Sequence, residues 1–77
     1  MKAWEIIERY GWRQKKYGNT RTGFCILGAL HRAYPDNASY QSVKIRIQQT
    51  LDKGIPDWND APSRTKAQVV GLLKRLE

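Results

Sequence analysis

The chain has 77 residues, a formal net charge of +7 and a single cysteine, and 40% of its residues are hydrophobic. A chain of this length forms one small domain, 1–77, which buries only about 60% of its unfolded surface. One cysteine excludes an intramolecular disulfide framework and a zinc site built on several thiolates. The excess of Lys and Arg favours a negatively charged partner, although a small protein can also carry such charge on a merely solvated surface.

The first predicted element is a helix that ends at Gly11. Its inner face carries apolar side chains three residues apart, namely Trp4, Ile7 and Tyr10. The polar segment Trp12–Phe24 follows and contains Gly18-Asn19, a turn signal that typically joins two short strands. We expect a short β-hairpin or an ordered basic loop here, packed on helices because an isolated hairpin is marginal in water.

Two further helices are predicted in the middle of the chain. The segment Cys25–Tyr34 is apolar enough to be the central, most buried helix, and its Gly28 would let another element approach closely. The segment Ser39–Lys53 predicts a third helix, with Ser39 as its N-cap. Its apolar stripe consists of Tyr40, Val43, Ile47 and Leu51.

The last quarter predicts a loop followed by a helix. Ile55–Arg64 has the composition of a loop, and Thr65 with Gln68 has the form of a capping box. The inner face of the last helix is formed by Val69, Leu72, Leu73 and Leu76. The sequence therefore predicts a mainly α fold: a small four-helix domain with a short β-hairpin or ordered basic loop between helices one and two.

Three separated motifs carry a resemblance to a known family. They are Gly11-Trp12-x-Gln14, Cys25-x-x-Gly28-Ala29-Leu30 and Trp58-Asn59-Asp60-Ala61-Pro62-x-Arg64-Thr65. Together they resemble a family of short bacterial and phage proteins, a domain of unknown function. The resemblance implies a stand-alone cytoplasmic domain and no particular activity. Members of that family often have a shorter, less basic segment at 15–22, so the resemblance assigns no role to those residues.

Candidate catalytic and metal-binding residues are few. Cys25 and His31 are six residues apart on one predicted helix, which places them roughly 120° apart around its axis, too far to act as nucleophile and base. We expect Cys25 to be a small core residue and His31 to be exposed or lightly capping. Asp57 and Asp60 offer only two carboxylates, which make a weak Ca²⁺ or Mg²⁺ site. No enzyme activity, metal, cofactor or small-molecule substrate is expected.

The strongest functional signal is a basic stretch without acids. No acidic residue lies between Glu8 and Asp36, and aromatic side chains are interleaved with the cations there. Cations bind phosphates by charge, and exposed aromatic rings stack on unpaired bases. The candidate binding residues are Arg9, Arg13, Lys15, Lys16, Tyr17 and Arg21, with Arg64 added from the later loop. The alternative is that the aromatic rings pack in the core and the cations are simply solvated.

The remaining motif residues are interpreted as structural anchors. These are Trp12, Cys25, Gly28, Trp58, Asn59, Asp60 and Thr65. Trp58 should pack inward, and Asn59 or Asp60 should bind backbone N–H groups at a turn or at the start of the last helix. Arg64 precedes a helix N-terminus, which repels cations, so it needs a salt bridge to Asp57 or Asp60, or an external anion.

The sequence is compatible with two functions. The first is a non-enzymatic binding domain that contacts the nucleic-acid backbone through residues 13–21. The second is a phage or mobile-element interaction protein that binds and modulates an acidic host protein with the same surface. No apolar run approaches the roughly 18 residues of a membrane span, and no signal peptide is apparent, so a cytoplasmic protein without a membrane partner is expected.

Overall fold

Five helices and one two-stranded ribbon follow one another along the chain in the computed structural model, which describes residues 1–77. Their bounds are α1 Ala3–Tyr10, β1 Gly18–Asn19, β2 Gly23–Phe24, α2 Ile26–Ala33, α3 Asn37–Thr50, α4 Ile55–Asn59 and α5 Lys66–Leu76. The predicted mainly helical fold with a hairpin after the first helix is confirmed. The number of helices is five rather than four, because part of the predicted loop 55–64 forms α4.

The hairpin lies two residues later than predicted. Gly18 pairs with Phe24 and Asn19 with Gly23, so Gly18-Asn19 is the first strand and residues 20–22 form the turn. The Asn19 side chain fixes that turn, since its Oδ1 accepts from the backbone N–H groups of Arg21 at 2.8 Å and Thr22 at 3.0 Å. The residues before Gly18 are therefore an ordered loop rather than a strand.

Helix α2 is the central element, as the sequence predicted. It contacts α1, α3, α4 and β2, while α5 packs on α1 and α3. The largest fully buried side chains of the core are Ile7, Ile26, Leu30, Ile47, Ile55, Val69, Leu73 and Asn59. Asn59 is the single polar side chain in this buried set, and the packing of α4 against α2 brings it there.

The helix N-termini show one difference from the prediction. Helix α3 begins at Asn37 and is capped by Asp36, whose carboxylate accepts from the Ser39 N–H at 2.9 Å, so the assignment of Ser39 as N-cap is wrong. That hydrogen bond lowers the pKa of Asp36. The predicted capping box of α5 is present, with reciprocal bonds of 3.2 and 3.0 Å between Thr65 and Gln68.

A carboxylate joins the two chain ends. The Glu77 side chain accepts from the backbone N–H groups of Ala3 and Trp4, both at 2.9 Å, at the start of α1. The Tyr34 hydroxyl donates to the same carboxylate, and burial together with this contact raises the pKa of Tyr34 to about 12. None of the five helices combines the length and the apolarity that a membrane crossing requires.

Candidate functional site

A buried amide fixes the loop that precedes the hairpin. Asn59, which is 1% exposed, accepts through Oδ1 from the Trp12 indole N–H at 2.9 Å and from the Ile26 backbone N–H at 3.2 Å. Its Nδ2 donates to the Arg13 carbonyl at 3.2 Å and to Asp60 Oδ1 at 2.9 Å. We call these five residues the Asn59 network. Because its amide makes four hydrogen bonds, Asn59 joins the loop, α4 and the first turn of α2.

Further hydrogen bonds next to the Asn59 network hold the loop in place. Gln14 donates to the carbonyls of Asn59 and Ala61 at 3.1 and 2.9 Å, and Asp60 Oδ1 accepts from the Lys15 N–H at 2.8 Å. Lys15 has φ of 74°, a left-handed conformation that costs a non-glycine residue roughly 1–2 kcal/mol. The bonds to Asn59, Asp60 and Ala61 hold Arg13, Gln14 and Lys15 in place and so stabilise this conformation.

The loop also lies directly on α2. The Tyr17 carbonyl accepts from the Cys25 N–H at 3.3 Å, and a methyl group added to Gly28 would lie 2.1 Å from that carbonyl oxygen. A side chain at Gly28 would therefore push the loop away from the helix. The close approach expected at this small residue is made by the backbone of Tyr17.

These contacts border a cavity of about 350 Å³ that is open to solvent and lies between the loop, α2 and α4. Nine residues line it: Lys15, Lys16, Tyr17, Cys25, Leu27, Ile55, Pro56, Asn59 and Asp60. Both lysines are exposed, and neither ammonium group bonds to the protein. The cavity thus has apolar walls, two cations at its edge and one carboxylate.

The Cys25 thiol lines the cavity but is not activated. It caps α2, with Sγ accepting from the Gly28 N–H at 3.4 Å, and burial raises its pKa. His31 lies elsewhere, stacked on Tyr40, so the two residues form no nucleophile–base pair. Nowhere in the structure do three or more His, Cys, Asp or Glu side chains come together as metal ligands would.

An aromatic column, which we define as Tyr17, His31 and Tyr40, begins at the cavity and runs from the exposed Tyr17 to the buried Tyr40. The His31 ring stacks on Tyr40 with centroids 4.0 Å apart and faces Tyr17 at 5.5 Å. Tyr17 is 59% exposed and also lines the cavity, so it is the outer ring of the column. Sequence reasoning missed this feature because no periodicity relates the loop to positions on two different helices.

The other predicted cations are not all brought together. Arg9 and Arg32 lie against the Tyr10 ring, with Cζ 5.6 and 5.8 Å from its centroid. Arg13 is half-buried and turns Nε towards the Gln14 carbonyl at 3.5 Å, while Arg21 is exposed in the hairpin turn. The structure therefore groups Lys15, Lys16 and Tyr17 at the cavity and places Arg9 with Arg32 on the Tyr10 ring.

Arg64 has a partner that the sequence did not suggest. Its guanidinium lies 3.6 Å from the centroid of the Trp58 ring, and Nε donates to the Trp58 carbonyl at 2.8 Å. The expected salt bridge to Asp57 or Asp60 is absent, because the guanidinium is held instead by the ring and the carbonyl of Trp58. Trp58 is half-buried against the core, whereas the indole N–H that finds a buried acceptor belongs to Trp12.

The comparisons with known proteins place the chain in a family. A family model described as "Family of unknown function (DUF6197)" matches residues 1–77. The chain belongs to this family. No curated protein and no solved structure gives a significant match.

Proposed function

We propose that this domain is a non-enzymatic binding module that contacts the phosphate backbone of nucleic acid through the segment Arg13–Arg21. The observation that carries the proposal is the fixed loop Arg13–Tyr17, which holds two unpaired ammonium groups outward on a rigid support. A binding surface that is already ordered loses little conformational entropy when it binds, so more of the interaction energy appears as affinity.

The charge distribution supports an anionic partner. The segment itself contains four cations and no acid, and the one carboxylate brought to it, Asp60, accepts from a backbone N–H of the loop instead of neutralising an ammonium group. The ammonium groups of Lys15 and Lys16 therefore have no salt bridge in the protein and are available to contact a phosphate. Arg21 extends this charge into the exposed hairpin turn.

The chemistry at the cavity supports binding rather than catalysis. Burial keeps the Cys25 thiol protonated, and the thiolate is the form that attacks a substrate. A protonated, helix-capping thiol instead serves the fold. A buried free thiol in a domain without disulfides also fits a reducing compartment, and we propose that the domain acts in the cytoplasm.

Binding of fluorescently labelled single-stranded and duplex DNA, followed by anisotropy over a range of salt concentrations, tests the proposal. If about four phosphates are neutralised, the logarithm of affinity should fall with the logarithm of salt at a slope near −3. The double variant Lys15→Gln/Lys16→Gln should bind more weakly and reduce that slope by about 1.5, because two contacts are lost.

Lys53→Gln/Arg75→Gln is the matched control, since it removes two positive charges from exposed side chains outside the cavity. Equal losses in the two double variants would mean that net charge, and not the fixed loop, governs binding. Absence of binding at about 50 mM salt, where phosphate contacts are strong, would overturn the proposal and leave an acidic protein surface as the partner of the same cations.

A further inference from the structure

The walls of the cavity have the character of a site for a flat ring. Tyr17, a residue that is 59% exposed, lines the cavity together with the apolar residues Leu27, Ile55 and Pro56. Unpaired bases bind proteins by stacking on aromatic rings and packing against apolar side chains. A ring placed on Tyr17 would extend the aromatic column by one member.

Asp60, one of the residues that line the cavity, has one free hydrogen-bond acceptor, the oxygen Oδ2. Both bonds that Asp60 makes inside the protein use Oδ1, which accepts from the Lys15 N–H and from Asn59 Nδ2. Oδ2 bonds to nothing in the protein, and no buried polar side-chain atom is left without a partner, so Oδ2 is reached by solvent. A carboxylate oxygen accepts from the amino group of cytosine, whereas uracil presents a carbonyl oxygen at that position.

We propose that the cavity receives one unpaired base of a single-stranded nucleic acid and prefers cytosine to uracil, with Asp60 Oδ2 accepting from the amino group. Lys15 and Lys16, at the edge of the cavity, contact the flanking phosphates. This inference rests on the proposed function, because phosphate binding by the basic segment brings the strand to the cavity. A paired base in a duplex is excluded, since its edge and both faces are occupied.

Short strands of about eight abasic nucleotides test this site, since single-strand binding sites commonly span about 4–16 nucleotides. One central position carries cytosine, uracil or no base, so the strand has only one base to offer. We expect the cytosine strand to bind about tenfold more tightly than the uracil strand, equivalent to ~1.4 kcal/mol, and the abasic strand to bind most weakly.

The variant Asp60→Asn isolates the free oxygen. An asparagine keeps an Oδ1 for Lys15 and Asn59 and places an amide NH₂ where Oδ2 was, which suits the carbonyl of uracil. The preference should then reverse in favour of uracil. A cytosine-to-uracil ratio that stays unchanged in a folded Asp60→Asn protein would refute the role of Asp60.

Tyr17→Ala should remove the advantage of either base over the abasic strand, while Tyr17→Phe keeps it. Ile45→Ala is the matched control, because Ile45 lies on α3 and is 53% exposed, close to the exposure of Tyr17. This variant should leave the affinities for all three strands unchanged.

A measurement on the unaltered protein uses Cys25, which lines the cavity: a base-bearing strand should slow its alkylation more than an abasic strand. Equal affinity and equal protection for all three strands would overturn the base site and leave phosphate binding standing. Failure of every strand to bind at low salt would instead refute the proposed function.

Discussion

The Asn59 network gives the sharpest test of the structural reasoning, through the variant Asn59→Asp. The new side chain keeps the oxygen that accepts from Trp12 and Ile26, but it places a second oxygen where Nδ2 donates to the Arg13 carbonyl and to Asp60. Two hydrogen bonds are lost and a carboxylate is buried beside another carboxylate. At about 1 kcal/mol for each lost bond and about 1–3 kcal/mol for the unsatisfied buried groups, the free energy of unfolding should fall by at least about 3–5 kcal/mol, and the uncompensated buried charge adds to this loss.

That loss is large for a domain of this size. At about 0.05–0.15 kcal/mol per residue, the whole chain is stabilised by only about 4–12 kcal/mol. Asn59→Ala, which removes all four hydrogen bonds, should cost a similar amount.

Urea unfolding followed by circular dichroism measures both variants. Asn37→Ala, at an exposed position, is the control and should stay within about 0.5 kcal/mol of the parent protein. A stability of Asn59→Asp that is equally close to the parent would show that the buried amide does not hold the loop.

Two further predictions concern titratable groups. Burial raises the pKa of the Cys25 thiol, so its alkylation near pH 8 should be much slower in the native protein than in the unfolded chain, and equal rates would contradict the assignment. The pKa of Tyr34 is raised to about 12 by burial and by Glu77, so the stability that its neutral hydroxyl contributes is full below the unfolded pKa of about 10 and is lost as pH rises through 12. When the absorbance of phenolate is followed against pH, Tyr34→Phe should lack the step near pH 12 that the parent protein shows. Identical titration curves for the two proteins would show that Tyr34 does not titrate there.

Hydrophobic periodicity predicted three of the five helices, and the apolar composition of Cys25–Tyr34 predicted a fourth. Each of these helices presents a repeated apolar face to the core, and the repeat is a property of local sequence. Helix α4 was missed because its five residues are too few to show a period, and Pro56 suggested a loop although proline is tolerated in the first turn. The turn of the hairpin was misplaced because Asn19 fixes it with its side chain instead of occupying it.

The cations of the candidate site could be predicted from the sequence, whereas the contacts that hold them in place could not. The lack of acids around Lys15 and Lys16 is visible in the sequence, whereas Asn59 meets Trp12 and Ile26 across 47 and 33 residues. Asn59 or Asp60 was expected to bind backbone N–H groups at a turn or at the start of the last helix, and both bind such groups, Asn59 at α2 and Asp60 in the loop. The choice of partners depends on how α4 packs on α2, which no local pattern encodes.

The construction of the loop couples its order to the fold as a whole. The side chains of Trp12 and Gln14 bind Asn59 of α4, and the next three residues, Lys15, Lys16 and Tyr17, are exposed. Because the Asn59 side chain is 1% exposed, detachment of the loop would take the Trp12 donor from its Oδ1 and the Arg13 acceptor from its Nδ2 in a buried place. The loop should therefore open only when the domain unfolds. A surface with that property is ordered before any partner is met, and this order lowers the entropy cost of the binding that we propose.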